Sequence, residues 1–329
     1  MKSSAKKSAI GAVLFVWVMM AGTALAQEQA AAPRVDRLRM QIERLLRNAD
    51  GKVGVAVKHL ENGQGLAVNG EMLFPMASVF KLPVLVELLY QVKEGRFALA
   101  DEITVQQSDQ HRGSGMISSL TMPGIKLSVL NMAHFMMMIS DNSAADILLE
   151  KVGADNVNAR LKSIGISGIS VNRSCEKMIA DFSALQSGAK TREERKAAIV
   201  KFGEDPRDEA TPLALNALLE KIFKKEILDP DLGGLAVQIM LKCETGEKRI
   251  KGELPPRTVV AHKTGTLAGT VNDCGIIYLP DGQGHVALTV LTKDFTAETA
   301  DVEEIIAKIA RFVYDYFYFT NSIPTSENR

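Results

Sequence analysis

The 329-residue sequence is poor in cysteine, in aromatic residues and in net charge. It has three cysteines, Cys175, Cys243 and Cys274, which cannot all pair within one chain and match no zinc-binding signature. We therefore expect buried thiols, with one internal disulfide as the alternative. Acidic and basic residues balance at 39 each, so no basic field is available to hold nucleic acid. The five histidines also lack metal-ligand spacing, which argues against a zinc hydrolase.

Long apolar runs are absent after residue 26, so no later segment is expected to span a bilayer. The beginning of the sequence differs, because lysines are followed by an apolar run from Ala9 to Met20 and by small residues up to Ala26. This pattern is typical of a cleaved secretory signal over residues 1–26, with an uncleaved anchor as the alternative. We expect an exported protein, periplasmic or secreted, with a flexible segment at 27–34 and no stable membrane anchor.

The hydrophobic periodicity predicts strands near both ends of the chain and helices between them. Strands are predicted at residues 52–60, 65–68, 258–262, 274–279 and 285–291. They can form one antiparallel five-stranded sheet flanked by terminal helices, which is an α/β fold of the α+β type. We expect a single domain over 35–329, with an α/β lobe at about 35–75 and 245–318. A mainly helical lobe would occupy about 76–244, and a site would lie between the lobes.

Three short motifs carry side chains suited to acyl transfer. Ser78 and Lys81 open an apolar helix, where their spacing would place the hydroxyl and the amine on one face. A serine hydroxyl needs an adjacent base, and a lysine whose pKa is lowered by burial can serve as one. The other motifs are Ser140–Asn142, between two predicted helices, and Lys263–Gly265, at the end of a predicted strand. Each motif alone is weak, because helix capping or a strand end explains it equally well.

In this order the three motifs are the signature of class A β-lactamases and penicillin-binding proteins. From about Val35 to about Phe317 the chain resembles class A β-lactamases, with further matching text at Phe74–Ser78, Ile139–Asp146 and Asp205–Asp208. The resemblance implies hydrolysis of the β-lactam amide through a serine acyl-enzyme, and hence antibiotic resistance. It also implies a small-molecule β-lactam substrate, no cofactor, no metal and a monomeric chain.

The resemblance further implies a role for each motif residue. Ser78 would be acylated, Lys81 would help to activate it, and Ser140 would relay a proton to the leaving ring nitrogen. The backbone N–H groups of Ser78 and Thr266 would form an oxyanion hole. Substrate-binding roles would fall to Asn142, Lys263, Thr264, Gly265, Thr266 and, as a second carboxylate anchor, Arg249.

Hydrolysis of the acyl-enzyme needs a base, which class A enzymes place in the segment Arg-x-Glu-x-x-Leu-Asn. The corresponding text runs from Arg173 to Ala180, and its spacing from Ser140 favours Glu176 as this base. In that register the arginine is displaced by one position and Ala180 replaces the asparagine. An insertion at roughly 183–201 follows, before Asp208.

Three functions therefore remain open for the sequence. The first is an exported β-lactamase that acylates at Ser78 and deacylates through Glu176. The second is a penicillin-binding-protein-like peptidase acting on peptidoglycan, in which deacylation is slow or absent. The third is a catalytically silent binding module, which predicts no adduct on Ser78.

Overall fold

The computed structural model describes residues 35–111, 113–122 and 124–321. The predicted signal and the flexible segment, residues 1–34, lie outside the described residues. Within the described ranges, no helix combines the length and the apolar character that crossing a bilayer requires.

The described chain contains the five predicted strands and, in addition, four short strands that the periodicity did not predict. The strands are β1 (Lys52–His59), β2 (Gly65–Val68), β3 (Phe74–Pro75), β4 (Glu102–Thr104), β5 (Lys126–Ser128), β6 (Glu209–Ala210), β7 (Val260–Leu267), β8 (Thr270–Tyr278) and β9 (His285–Lys293). The helices are α1 (35–46), α2 (Lys81–Lys93), α3 (Val129–Met138), α4 (Asn142–Val152), α5 (Ala154–Ser163), α6 (Cys175–Ser187), α7 (Arg192–Gly203), α8 (Pro212–Phe223), α9 (Pro230–Leu241) and α10 (Thr299–Asn321). Short 3-10 segments lie at Ala77–Phe80, Gln107–Asp109 and Ile117–Ser119.

The central sheet confirms the predicted antiparallel five-stranded arrangement and the mixed α/β class. Its strand order is β2-β1-β9-β8-β7, so strands from the two ends of the chain are neighbours. β1 pairs with β9 along its whole length, with Val55 opposite Val290. This pairing brings the C-terminal strands beside the segment that follows β2, which contains Ser78.

Both faces of the sheet are covered, because successive strand residues point to opposite faces. On β9, Leu288 and Val290 pack with α1 and α10, whereas Ala287 and Leu291 join the core of the helical region. Helix α2 lies in that second core and is buried on nearly all sides, as expected for a helix that is apolar all round. The buried α2 therefore fixes the position of the first motif, Ser78 and Lys81.

Two local predictions need correction. Strand β7 continues to Leu267, so Lys263–Gly265 lies inside the strand instead of ending it. Ser78 lies in the 3-10 segment Ala77–Phe80, one turn before α2 begins at Lys81.

The segment of the predicted insertion, residues 183–201, contains the end of α6 and most of α7. These two helices pack together, with the Phe182 and Phe202 rings edge to face at 5.3 Å.

Candidate active site

The segment that carries Ser78 is strained and tightly held. Ala77 has a φ of +45°, a left-handed conformation that costs free energy in a residue with a side chain. The Asn272 amide donates to the carbonyl oxygens of Pro75 at 2.8 Å and Met76 at 3.1 Å. Strand β8 thereby fixes the backbone just before Ser78. In a 3-10 segment residues three apart are eclipsed, so Ser78 and Lys81 lie on one face.

Gly265 allows strand β7 to touch the backbone of this segment. A Cβ placed on Gly265 would lie 2.5 Å from the carbonyl oxygen of Met76 and 3.0 Å from the amide nitrogen of Ser78. Any side chain at this position would collide with backbone atoms that cannot rotate away. The third motif is therefore in direct contact with the first.

The Ser140 hydroxyl connects two buried lysines. Lys81 Nζ donates to the Ser140 carbonyl oxygen at 2.7 Å and to Asn142 Oδ1 at 2.9 Å, and lies 3.2 Å from Ser140 Oγ. Lys263 Nζ lies 3.0 Å from the same Oγ. The hydroxyl lies within hydrogen-bond distance of both amines, so the three motifs form one hydrogen-bonded network.

Burial controls the protonation of both lysines. Burial lowers the pKa of the Lys81 amine, an effect that Cys175, Asp146 and Asp141 oppose. Burial and the neighbouring Lys81 charge lower the pKa of Lys263 to about 7. Two buried amines that share one hydroxyl resist being charged together, because each positive charge disfavours the other.

Ser140 and Asp141 owe their positions to local strain and to a shared cap. Ser140 has a φ of +58°, which turns its side chain toward the lysines. Asp141 Oδ1 accepts from the Ala144 amide at 2.9 Å and caps α4. Its other oxygen accepts from the amides of Met116 at 2.6 Å and Ile117 at 2.9 Å. Within the second motif, Asp141 therefore caps α4, while Ser140 contacts the two lysines of the site.

Thr264, Thr266 and Arg249 continue the site along β7. Thr264 Oγ1 is 2.6 Å from Thr245 Oγ1, and Thr266 is exposed at the rim. The buried Arg249 donates to the carbonyl oxygens of Gly265 at 3.0 Å and Asn272 at 2.8 Å, and to Thr266 Oγ1 at 2.6 Å. Arg249 therefore donates most of its hydrogen bonds to groups inside the protein and stabilises β7. It contacts the exposed edge of the site through Thr266.

Arg173 closes the loop that precedes α6. Its Nε lies 2.6 Å from Asp208 Oδ2, and its Nη1 contacts Asp181 at 2.9 Å and Asp205 at 3.0 Å. The Arg173 side chain is only 5% exposed, so this is a buried cluster. Arg173 thus pairs with Asp208, and the residue two positions after this arginine is Cys175, not Glu176.

The structure does not bring Glu176 to the lysine network. Its side chain is 66% exposed, and its Oε2 lies 3.4 Å from His111 Nδ1. The physical reason is helix phase: successive residues are rotated by about 100°, since a turn takes about 3.6 residues. Cys175 is the residue of this pair that faces inward, where it is buried and interacts with Lys81 and Asp146. Ala180, expected beside Glu176, is exposed as well.

The three cysteines are free and buried, as expected for thiols, and the alternative of an internal disulfide is not formed. Burial raises the pKa of Cys175 to about 12. Behind β7, His262 Nδ1 lies 2.9 Å from Asp273 Oδ1; burial lowers the pKa of His262, but this carboxylate and Cys243 raise it to about 10. His262, Asp273 and Cys243 are all buried and therefore stabilise β7 from inside the protein.

Among the described residues, no three His, Cys, Asp or Glu side chains lie close enough together to bind a metal ion.

The sequence analysis did not identify two residues of the site, Cys175 and Thr245. Thr245 forms a hydrogen bond with Thr264. Counting from Arg173, instead of from Ser140, would have found Cys175.

Comparison with known proteins agrees with this geometry. A family model described as the β-lactamase enzyme family matches residues 37–317. β-Lactamase VEB-1 of Pseudomonas aeruginosa is 28% identical over 295 residues, which cover 86% of this chain and 91% of that protein. A β-lactamase structure from Chitinophaga pinensis has 30% identity and a TM-score of 0.75, covering 85% of this chain and 98% of that one.

A class A representative from Bacteroides cellulosilyticus has 28% identity and a TM-score of 0.73, covering 87% and 99% of the two chains. The shared fold, the three motifs in one cleft and the family match lead to one conclusion. The chain belongs to the β-lactamase enzyme family, as a hydrolase of the class A type.

Proposed function

We propose that Ser78 is the nucleophile of this β-lactamase and that Lys81, Ser140 and Lys263 move the proton during ring opening. The observation that carries the proposal is the Ser140 hydroxyl, which lies 3.2 Å from Lys81 Nζ and 3.0 Å from Lys263 Nζ. Gly265 places the same strand against the Ser78 backbone. The reaction of the family is hydrolysis of the β-lactam amide, and this network supplies a base and a proton relay for it.

Acylation begins with the neutral Lys81 amine, which takes the Ser78 hydroxyl proton while Oγ attacks the lactam carbonyl. The oxyanion that forms is met by the backbone N–H groups of Ser78 and Thr266, on the two segments that Gly265 holds in contact. As the carbon–nitrogen bond of the ring breaks, the proton passes from Lys81 through Ser140 to the ring nitrogen. Lys81 returns to its neutral state in the ester.

Binding of the substrate relies on a carboxylate anchor at β7. Lys263 Nζ is fixed by Ser140 and by the Thr264 carbonyl oxygen at 2.9 Å. A substrate carboxylate beside this amine favours its charged form and offsets the cost of burial. Thr264 and Thr266 add hydroxyl donors, and Asn142 adds an amide at the opposite wall.

Intact-mass spectrometry over time after mixing with a penicillin tests the proposal. We expect an adduct equal to the mass of the whole penicillin on Ser78, followed by its loss as hydrolysed product. Ser78→Ala should form no adduct, whereas Ser187→Ala, the same change at an exposed serine that ends α6, should form and lose the adduct as wild type does. An adduct that Ser78→Ala still forms would refute Ser78 as the nucleophile.

We also propose that the protein acts after export, in the periplasm or outside the cell. The lysine-rich start, the apolar run and the small residues before position 26 support this. Cell fractionation with N-terminal sequencing of the mature protein tests it, and a cytoplasmic protein that retains residues 1–26 would contradict it.

A further inference from the structure

A row of polar side chains runs behind β7 and ends at the proposed carboxylate anchor. It begins with Asp273 and His262, whose Oδ1 and Nδ1 atoms are 2.9 Å apart. The imidazole interacts in turn with the thiol of Cys243. The Cys243 Sγ atom lies 3.3 Å from Thr245 Oγ1, which lies 2.6 Å from Thr264 Oγ1. A cluster of cysteine, histidine and aspartate is therefore connected to a residue of the substrate site.

The His262 imidazole is placed to stabilise a thiolate. Both oxygens of Asp273 contact its Nδ1, at 2.9 and 3.2 Å. Its Nε2 is buried, and among the described residues no oxygen or nitrogen atom forms a hydrogen bond there, so the interaction with Cys243 involves Nε2. Burial lowers the pKa of His262, but Asp273 and Cys243 raise it to about 10, so the ring is charged at neutral pH. A charged imidazole held by a carboxylate is the arrangement that activates cysteine nucleophiles.

The three buried thiols differ in the charges beside them. Burial raises the pKa of Cys243, but the neighbouring His262 and Lys263 lower it, to about 7 overall. Burial raises the pKa of Cys175 to about 12, and it raises the pKa of Cys274 as well. Because the thiolate is the nucleophilic form, Cys243 is the most nucleophilic of the three near neutral pH.

Cys243 also lies where the backbone opens most easily. It follows α9 in a segment outside helices and strands, and its neighbours Lys242 and Glu244 are exposed, although Cys243 itself is only 3% exposed. Cys274, by contrast, lies inside the paired strand β8. Segments outside regular structure open at a lower free energy than paired strands. A small, uncharged reagent is therefore expected to reach the Cys243 sulfur first.

We propose that Cys243 is a modification site for small sulfur electrophiles, such as thiosulfonates and low-molecular-weight disulfides, and that its modification weakens the carboxylate anchor at Thr264. The second part rests on the proposed function of that anchor. A group added to Sγ needs space where Thr245 Oγ1 already lies at 3.3 Å, so Thr245 must move. Its hydrogen bond with Thr264 is then lost, and the Thr264 hydroxyl is no longer held in place.

The reaction with methyl methanethiosulfonate balances without a further reactant. The Cys243 thiolate attacks the methylthio sulfur of the reagent, and a new sulfur–sulfur bond forms. The sulfur–sulfur bond of the reagent breaks, and methanesulfinate leaves with the electron pair. His262 keeps its proton throughout. A second thiol, dithiothreitol, reverses the modification by exchange and restores the cysteine.

The test treats folded wild type with a limiting amount of methyl methanethiosulfonate and follows labelling by mass spectrometry. Each cysteine falls in a different tryptic peptide, so all three sites are measured in one sample, and Cys175 and Cys274 are controls within the same molecule. The values of kcat and KM for a chromogenic cephalosporin are measured before labelling, after labelling and after dithiothreitol. Cys243→Ser is the matched variant, because it keeps a polar partner for Thr245 and lacks the sulfur.

We expect Cys243 to be labelled at least about tenfold faster than Cys175 or Cys274. KM should rise about fivefold, as for the loss of one hydrogen bond, with kcat changed by less than about twofold, and dithiothreitol should reverse the rise. The KM of Cys243→Ser should not respond to the reagent. His262→Gln removes the imidazolium charge and should slow labelling of Cys243, whereas a loosened fold would speed it.

Equal or faster labelling of Cys175 or Cys274 overturns the proposal. So does a folded protein that stays unlabelled at all three sites over the time in which the urea-unfolded chain is fully labelled. An unchanged KM after complete labelling of Cys243 overturns the link to Thr264. If the unlabelled enzyme turns over no β-lactam, the proposed function has failed, and the labelling rates still decide whether Cys243 is the reactive thiol.

Discussion

Replacing Gly265 with alanine is expected to damage catalysis and folding stability by similar free energies. The added Cβ would lie 2.5 Å from the Met76 carbonyl oxygen, so β7 and the Ser78 segment must separate by about 0.9 Å to reach ordinary contact at 3.4 Å. A displacement of about 1 Å costs about 100-fold in rate, or about 2.7 kcal/mol of transition-state stabilisation. The stability loss from overpacking is about 1–3 kcal/mol.

The assay is kcat/KM with a chromogenic cephalosporin, beside urea unfolding of the same preparations. The control is Gly188→Ala, because Gly188 follows α6 with a φ of −88° and its added Cβ would meet nothing within 4 Å. It should leave kcat/KM unchanged. A Gly265→Ala enzyme with kcat/KM within about threefold of wild type would show that the close contact between β7 and Ser78 is not required for the chemistry.

Two further predictions follow from buried charges. Arg173→Ala leaves the buried Asp208 carboxylate without its cation, whereas Asp181 and Asp205 keep their contacts with Arg207, and it should cost about 3–5 kcal/mol in urea unfolding; a loss under about 1 kcal/mol would contradict a buried ion pair. Lys263 has a pKa lowered to about 7 by burial and by the charge of Lys81, so kcat/KM should fall as the pH rises through about 7 and the free enzyme loses this positive charge. Lys263→Arg stays charged and should move that basic limb to higher pH; an unchanged limb would assign it to another group.

The sheet and the three motifs were predictable because each follows from a local pattern. Alternation of apolar residues identified all five strands, and pairing of distant strands into one sheet follows from the need to cover their apolar faces. The order of the motifs then indicated one cleft. The limits of β7 were not predictable, because Lys263–Gly265 looks like a polar strand end until the strand is seen to pair with β8 as far as Leu267.

The outward position of Glu176 could not be read from spacing, because a residue count does not give the rotational phase of a helix. Glu176 and Cys175 are adjacent in the sequence, yet one is 66% exposed and the other is buried. The phase is set by Asp146, which accepts both of their amides and fixes how α6 begins. The strain at Ala77 and Ser140 was equally hidden, since neither residue type favours a positive φ.

The pairing of β1 with β9 has a consequence for biogenesis. Their partners, such as Lys58 with Ala287, are separated by most of the polypeptide, so the middle of the sheet cannot close while the chain is still emerging. Closure of so long a loop carries a large entropic cost and slows folding relative to local helix formation. A partly synthesised molecule therefore cannot complete its central sheet, and it becomes an enzyme only after its last strand arrives.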